Sequence, residues 1–358
     1  MKRGLITVSM LAAAAVLQGC VIAPGMTMSE PAEIDADTVI EVQSITPDLL
    51  NQLDLRRQNE VRQIAAEFSE APAAYRIGKG DVLQVTVWDH PELTIPAGSF
   101  RDAETSGQLV GEDGRIFYPY VGTLTVEGMT VAEVREVITE RISRYIQDPQ
   151  LDVRVVAFRS KRVNVVGEVE NPGLLAISDI PMTVSDAISL SGGLTENGFK
   201  SGVNISRDGE VYEIDLKALY DYADSSQNLL LRHGDIVNVL DLSQQKVFLM
   251  GEVNRPGPVT IINGRLSLAA AIGEVGGVKQ TTANPSAIYV IRGSNGDNPE
   301  IFHLDAGFAT GLLLADRFEM RAQDVVFVDA AGVSQWNRVI SQLLPSISVI
   351  GVIDNVAQ

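Results

Sequence analysis

The side chain with the most specific chemistry is the thiol of Cys20, the only cysteine in the 358-residue chain. It follows two basic residues, an apolar run over residues 5–17 and the small residue Gly19. A basic start, a short apolar stretch and a small residue at the cleavage site are typical of a secretory signal. With cysteine next, we predict a lipoprotein signal peptide over residues 1–19, and a diacylglycerol thioether and an N-acyl chain such as palmitate on Cys20. The alternative is an ordinary secretion signal followed by an incidental cysteine.

The residue after the modified cysteine indicates the destination. Lipid chains anchor a protein firmly, because each buried methylene contributes about 0.8 kcal/mol. Val21 stands where an Asp commonly retains lipoproteins in the inner membrane. We therefore expect an outer-membrane lipoprotein.

Carboxylates are abundant but form no clear catalytic pair. Glycoside hydrolysis needs two carboxylates across a cleft, and the one suggestive cluster is Asp89 and Glu92 around His90-Pro91. A turn capped by Asp89 explains these residues equally well. Three scattered histidines and one cysteine do not make a dense zinc site. We predict no catalytic residue, no metal site and no cofactor beyond the lipid.

The charge balance limits the class of partner. Without residues 1–19, which contain Lys2 and Arg3, the chain has 26 basic and 46 acidic residues, a net charge of −20. Such a charge argues against nucleic acid and anionic lipid as partners.

The chain reads as an α+β multidomain protein. We predict that residues 20–74 form a polar, lipidated tether and N-terminal segment, in which helix formers dominate from Pro47 to Phe68. Residues 75–160 predict a compact α+β unit with a turn at 78–81 and a strand over 82–88. Thr130 and Glu133 form a capping box. The helix behind it carries an apolar face that we expect to extend to Tyr145.

An internal repeat follows, over residues 161–244 and 245–332. The block at 166–173 returns at 250–257, and the block at 191–193 returns at 275–277, both at an offset of 84. Each copy predicts a helix that begins at a hydroxyl residue, Thr183 or Ser267. The glycine pairs come after these helices, so they predict C-terminal caps, not a phosphate loop. Later landmarks have an offset of 89, which predicts a five-residue insertion near 293–299.

Residues 333–358 predict an amphipathic helix that begins at Ser334. The helix runs to about Val352, and eighteen residues at about 1.5 Å each give a length of roughly 27 Å, close to the hydrocarbon thickness of a bilayer. A lone helix with a polar stripe cannot span lipid. The helix therefore either lies flat or docks on its own domains, or several copies surround a wet pore. The candidate membrane and pore residues are Trp336, Arg338, Ile340, Ser341, Gln342, Leu343, Pro345 and Ile347.

Three stretches resemble a known family. The residues at 78–83 and 87–93, those at 117–122, and the terminal stretch with Trp336 and Pro345 are similar to the outer membrane polysaccharide export family, in particular its Wza-like capsular polysaccharide translocons. The resemblance implies that residues 75–160 are a polysaccharide export domain. It also implies that the repeats are duplicated β-grasp-like (SLBB) domains, and that the last helix crosses the outer membrane.

The same resemblance implies the function. By this resemblance the protein is a homo-octameric ring, and its C-terminal helices form an α-helical barrel through which sugar and ions pass as in a porin. The bulk of the chain is then periplasmic and the C-terminus faces the cell surface. The implied partners are capsular polysaccharide or exopolysaccharide, outer-membrane lipid, and an inner-membrane polysaccharide copolymerase, often a tyrosine autokinase. Tyr118 and Tyr120 then either contact glycan in the lumen or pack within the domain. The alternative is a glycan-binding scaffold lipoprotein without a pore.

Overall fold

The computed structural model describes the fold of residues 42–68, 73–94, 107–262, 264–293 and 299–330. Its contacts divide the chain into two compact units, one of residues 1–54 and 245–358 and the other of residues 55–244. The division falls inside the first helix, between Asp54 and Leu55.

Residues 42–68 form a short strand, β1 (Val42–Ser44), and a long helix, α1 (Pro47–Glu67). The predicted helix is confirmed, whereas the strand was not predicted. The side-chain oxygen of Thr46 accepts a hydrogen bond from the Leu49 N–H at the start of α1 (3.2 Å). Ile45, Leu50 and Phe68 are buried. Phe68 belongs to the core of the repeat at 161–244, whereas the core of the 75–160 unit begins at Ile77.

Residues 75–160 fold as one α+β domain with a single hydrophobic core. Its elements are β2 (Val82–Val87), α2 (Pro91–Thr94), β3 (Gln108–Leu109), β4 (Arg115–Tyr118), β5 (Gly122–Thr125), α3 (Val131–Ile142) and β6 (Leu151–Ala157). Strand β2 pairs antiparallel with β3 and with β6, and β4 pairs with β5.

Helix α3 buries one apolar face in this core. Val134, Ile138 and Ile142 are fully buried. The capping box is confirmed, since the Thr130 N–H donates to Glu133 Oε2 (2.6 Å) and the Glu133 N–H donates to Thr130 Oγ1 (3.3 Å). The expected extension of the apolar face to Tyr145 is wrong. Helix α3 ends at Ile142, so Tyr145 lies in the following turn and is exposed.

The first repeat is a five-stranded sheet with two helices. Its elements are β7 (Arg162–Gly167), β8 (Gly173–Ala176), α4 (Val184–Leu190), β9 (Gly198–Arg207), β10 (Glu210–Ile214), α5 (Leu216–Tyr222) and β11 (Ile236–Asp241), with single 3₁₀ turns at Ser225–Gln227 and Leu242–Gln244. The strand order is β10-β9-β11-β7-β8, and only β11 and β7 are parallel.

The second repeat has the same sheet with one strand added. Its elements are β12 (Lys246–Gly251), β13 (Gly257–Thr260), α6 (Leu268–Glu274), β14 (Ala283–Arg292), β15 (Glu300–Leu304), α7 (Ala309–Arg317) and β16 (Val325–Ala330). The order is β1-β15-β14-β16-β12-β13, with β1 parallel to β15. The N-terminal strand thus covers one edge of the second repeat.

The repeat landmarks have the predicted local structures. The side chains of Thr183 and Ser267 cap α4 and α6, and the glycine pairs that follow both helices have positive φ. The β9–β10 connection is residues 208–209, whereas the β14–β15 connection is residues 293–299. The predicted insertion is therefore confirmed in place and length.

Candidate functional site

The turn at residues 78–81 is built around the buried carboxylate of Asp81. Its Oδ1 accepts the backbone N–H groups of Arg159 and Ser160 (2.8 and 2.9 Å), and its Oδ2 accepts the Tyr75 hydroxyl (2.7 Å) and the Gly78 N–H (2.9 Å). Burial, and secondarily this carboxylate, raise the pKa of Tyr75. These bonds join the start of the domain to its end. The Asp81 turn is therefore structural.

Tyr118 and Tyr120 have different environments. Tyr118 is only 1% exposed, and its hydroxyl donates to the Leu93 carbonyl oxygen (3.0 Å). Burial raises the pKa of Tyr118 to about 12. Strand β4 alternates exposed and buried positions, which places Tyr118 on the inner side. In this domain Tyr118 packs in the interior, as one of the two sequence interpretations expects.

Tyr120 lies in the turn between β4 and β5 and is 58% exposed. Its ring contacts that of Tyr145, with 5.3 Å between centroids and 43° between planes. Tyr145 is 65% exposed. Sequence reasoning placed Tyr145 in the core, because its spacing continues the apolar face of α3. The structure thus pairs it with a candidate glycan residue.

In the acidic cluster near His90, the environment of Glu92 is unlike that of a general acid. His90 Nδ1 lies 2.9 Å from Glu92 Oε1, and this hydrogen bond lowers the pKa of Glu92. A general acid needs a raised pKa. Asp89 has a left-handed backbone, with φ of 63°, in the turn before α2. Among the described residues, no group of three or more His, Cys, Asp and Glu side chains is arranged to hold a metal ion.

Each repeat contains a buried arginine–aspartate pair that the sequence analysis did not identify. In the first repeat Arg207 Nε and Nη2 donate to Asp235 (2.9 and 2.6 Å), and in the second Arg292 donates to Asp324 in the same way (3.0 and 2.7 Å). Each aspartate also accepts the backbone N–H three residues before it. The pair could have been found in the sequence, because an arginine and an aspartate recur at equivalent places in the two repeats.

Several predicted site residues lie outside the described residues. These are the lipidation site and the terminal helix, namely Cys20, Trp336, Arg338, Ile340, Ser341, Gln342, Leu343, Pro345 and Ile347. Within the part that is described, no helix combines the length and the apolar character needed to cross a membrane.

Known family models match each of the three domains and the C-terminal segment. The model for polysaccharide biosynthesis/export proteins matches residues 69–156, and the SLBB domain model matches residues 161–239 and 245–328. The model for the C-terminal domain of the outer-membrane lipoprotein Wza matches residues 331–354.

Curated relatives agree with these matches. The EPS I polysaccharide export outer membrane protein EpsA of Ralstonia solanacearum is 40% identical, over 95% of this chain and 94% of its own. The capsule polysaccharide export outer membrane protein CtrA of Neisseria meningitidis serogroup A is 26% identical, over 79% of each chain. The capsule polysaccharide export protein BexD of Haemophilus influenzae is 26% identical, over 73% of each. With an export domain, two SLBB domains and a Wza-type C-terminal segment in this order, the chain belongs to the outer membrane polysaccharide export family.

Proposed function

We propose that this protein forms a ring-shaped, octameric channel, anchored by lipid in the outer membrane, that exports capsular polysaccharide or exopolysaccharide from the periplasm to the cell surface. The observation that carries the proposal is the match of residues 331–354 to the Wza C-terminal domain, directly after the export and SLBB domains. That segment contains the stretch whose amphipathic pattern suits a helical barrel. The relatives named for polysaccharide export support the substrate class.

Physical chemistry favours a ring over a single membrane helix. A polar stripe cannot face hydrocarbon unpaired. In a closed ring of helices, Ser341 and Gln342 face water while Ile340, Leu343 and Ile347 face lipid. An uncharged polar wall offers weak, numerous hydrogen bonds to a hydrated polymer, so it has no deep binding trap.

The positions of the two membrane attachments support the proposed orientation. Strand β1 begins 22 residues after Cys20, a span of at most about 75 Å. Strand β16 ends at Ala330, just before the proposed helix at 333. Both strands belong to the sheet of the second repeat. Both proposed membrane attachments therefore connect in sequence to the sheet of the second repeat, and in this proposal the C-terminus continues toward the cell surface.

Transport in this proposal needs no chemistry by the protein itself. The channel is passive and not an enzyme, and polymer synthesis at the inner membrane drives export. The inner-membrane partner is a polysaccharide copolymerase with tyrosine autokinase activity. The family relatives are export proteins, which is consistent with a non-catalytic role.

The first experiment measures the assembly of the lipidated protein after gentle detergent extraction. Native mass spectrometry and particle imaging should find a single ring of about eight subunits around a central cavity. A monomer or dimer would leave the polar stripe without a pore and would favour the scaffold lipoprotein that binds glycan without transport.

The second experiment deletes residues 333–358 in cells that make the polymer. A channel loses export and accumulates polymer in the periplasm, whereas a scaffold keeps its activity. Cys20→Ser is the companion variant, since it removes the lipid but leaves the terminal helix. Normal export by the deletion variant would contradict the channel.

A further inference from the structure

Exposed aromatic side chains are concentrated in the export domain. Among its described residues the exposed large apolar side chains are Leu109 and four aromatics, Trp88, Phe117, Tyr120 and Tyr145. In the two repeats the exposed set is mainly aliphatic, as at Leu190, Leu312 and Leu313. Because these aromatic side chains remain in solvent, burial of apolar surface does not explain their presence. The export domain thus presents a surface of a different chemical kind.

Two of these aromatic residues form a pair. The rings of Tyr120 and Tyr145 meet at 5.3 Å and 43°, and more than half of each side chain is exposed. Neither hydroxyl hydrogen-bonds to another of the described residues. The two rings therefore form an open wedge that shows aromatic faces and free hydroxyl groups to solvent.

The backbone that holds Tyr120 is unfavourable for tyrosine. Its φ is 63°, in the left-handed region, which is uncommon for a bulky residue and suits glycine. The strain brings no burial, since the side chain is exposed. Backbone strain of this kind is often part of a functional site.

We propose that Tyr120 and Tyr145 form a carbohydrate-stacking site that takes pyranose rings of the polymer. This inference rests on the proposed function and assigns the contact to the exposed pair, not to the buried Tyr118. The face of an aromatic ring has a partial negative charge, so it attracts the C–H groups of a sugar face. Tyrosine adds a hydrogen-bonding hydroxyl. A rigid aromatic side chain also loses little conformational entropy on binding.

The pair suits a sugar better than a second copy of the chain. A stable contact between copies needs a large buried area, which two adjacent side chains do not supply. A moving polymer needs shallow, open contacts, which two half-exposed rings provide.

The test uses saturation-transfer-difference NMR on the lipidated full-length protein in detergent, with maltohexaose and hexagalacturonic acid as probes. The main variant is Tyr120→Gly with Tyr145→Ala. Glycine favours the left-handed φ of residue 120, and Tyr145 is exposed, so this variant keeps the fold. Tyr120→Phe keeps the ring. Tyr222→Ala is the matched control, since Tyr222 is an exposed tyrosine in the first repeat.

We expect the unmodified protein to transfer saturation to ring protons of at least one probe, and the double variant to bind roughly fivefold more weakly or worse. Tyr120→Phe and Tyr222→Ala should keep the signal. An unchanged signal from the double variant, or no signal from the unmodified protein, overturns the proposal. Loss of the ring assembly in the double variant assigns the pair to a contact between copies and also overturns it. Failure of the channel itself is separate, because it is measured by subunit number and by export without residues 333–358.

Discussion

The two repeats have the same sheet and the same buried ion pair, yet they complete their cores differently. In both, five strands follow one order and an arginine at the end of a long strand binds an aspartate in the turn before the last strand. The register matches too, since the pair Asn164–Ile236 corresponds to the pair Phe248–Val325. The two parallel strands therefore pair in the same register in both repeats.

The difference lies in the aromatic side chains around the arginine. In the second repeat Phe302 and Phe318 both lie 5.3 Å from the Arg292 guanidinium and contact each other edge to face. In the first repeat the equivalents are Tyr212 and Leu229, so one ring is missing.

Phe68, from the segment after α1, supplies this ring. It lies 3.8 Å from the Arg207 guanidinium and contacts Tyr212 edge to face at 5.1 Å. Where duplication leaves a gap, an unrepeated segment fills it. The folding unit of the first repeat is thus larger than its sequence repeat.

The largest expected effect comes from removing one partner of a buried ion pair. Asp235→Ala and Asp324→Ala should each destabilise their own repeat by about 3–5 kcal/mol, because a buried guanidinium is left uncompensated. Denaturant unfolding followed by hydrogen exchange locates the loss. Asp152→Ala, at an exposed pair with Arg154, is the control and should cost less than about 1 kcal/mol. A small loss of stability at one of the two buried aspartates would show that the ion pairs of the two repeats are not equivalent.

Phe68→Ala tests whether the first repeat alone depends on a residue outside it. The change should cost about 3 kcal/mol through the lost ring and the cavity. Hydrogen exchange should accelerate in β9 and β11 and stay unchanged in β14 and β16. Leu55→Ala, at an exposed position of helix α1 just before Phe68, is the control. Equal acceleration in both repeats would show that Phe68 is not specific to the first.

A smaller effect separates the turns that carry the two aspartates. The residue before Asp235 is Gly234, with φ of 93°, and the residue before Asp324 is Gln323, with φ of 69°. A Cβ on Gly234 meets nothing within 4 Å, so only the backbone opposes a side chain there. Gly234→Gln should therefore cost about 1 kcal/mol. Gln323→Gly relieves strain but also removes the side chain, so its shift should be smaller. Equal stability of Gly234→Gln and the unmodified protein in urea would argue against strain at this turn.

The smallest effect depends on pH. Hydrogen bonds from Thr282 (2.6 Å) and the Lys279 ammonium (3.2 Å) lower the pKa of Glu252 below its ordinary value of 4.5. Because the folded-state pKa is lowered, the stabilisation is fully present above the ordinary value of 4.5 and is lost as the pH falls through the folded-state pKa. The difference in urea midpoint between the unmodified protein and Glu252→Gln should thus be largest near neutral pH and shrink in acid. Glu168→Gln is the comparison in the first repeat, where Thr195 stands in place of the lysine.

Local signals in the sequence predicted much of the frame. The capping box of α3, the hydroxyl starts of α4 and α6, and the glycine pairs depend on near neighbours, so they are visible without the fold. The internal repeat also located the insertion at 293–299. Exposed and buried positions alternate along β4, and this alternation places the Tyr118 ring on the inner side.

Long-range features were missed for physical reasons. Strand β1 has three residues, and its partner strand is more than 250 residues away. Asp81, Asp235 and Asp324 each follow a turn, where an acid normally faces water, and only the fold reveals their buried donors. Tyr145 continues a helical spacing beyond the point where the helix ends.

The pairing of β1 has a mechanical consequence. Three residue pairs, followed by the bond from the Ile45 N–H to the His303 carbonyl oxygen (2.8 Å), join the upstream chain to the edge of the second repeat. A pulling load that enters the fold through Val42 meets this edge before it meets any inner strand. In force spectroscopy β1 should detach first, at low force, and the absence of such a step would refute this order. The sheet left behind is the five-stranded one that the first repeat has throughout, so the edge strand acts as a sacrificial link between a load and the core.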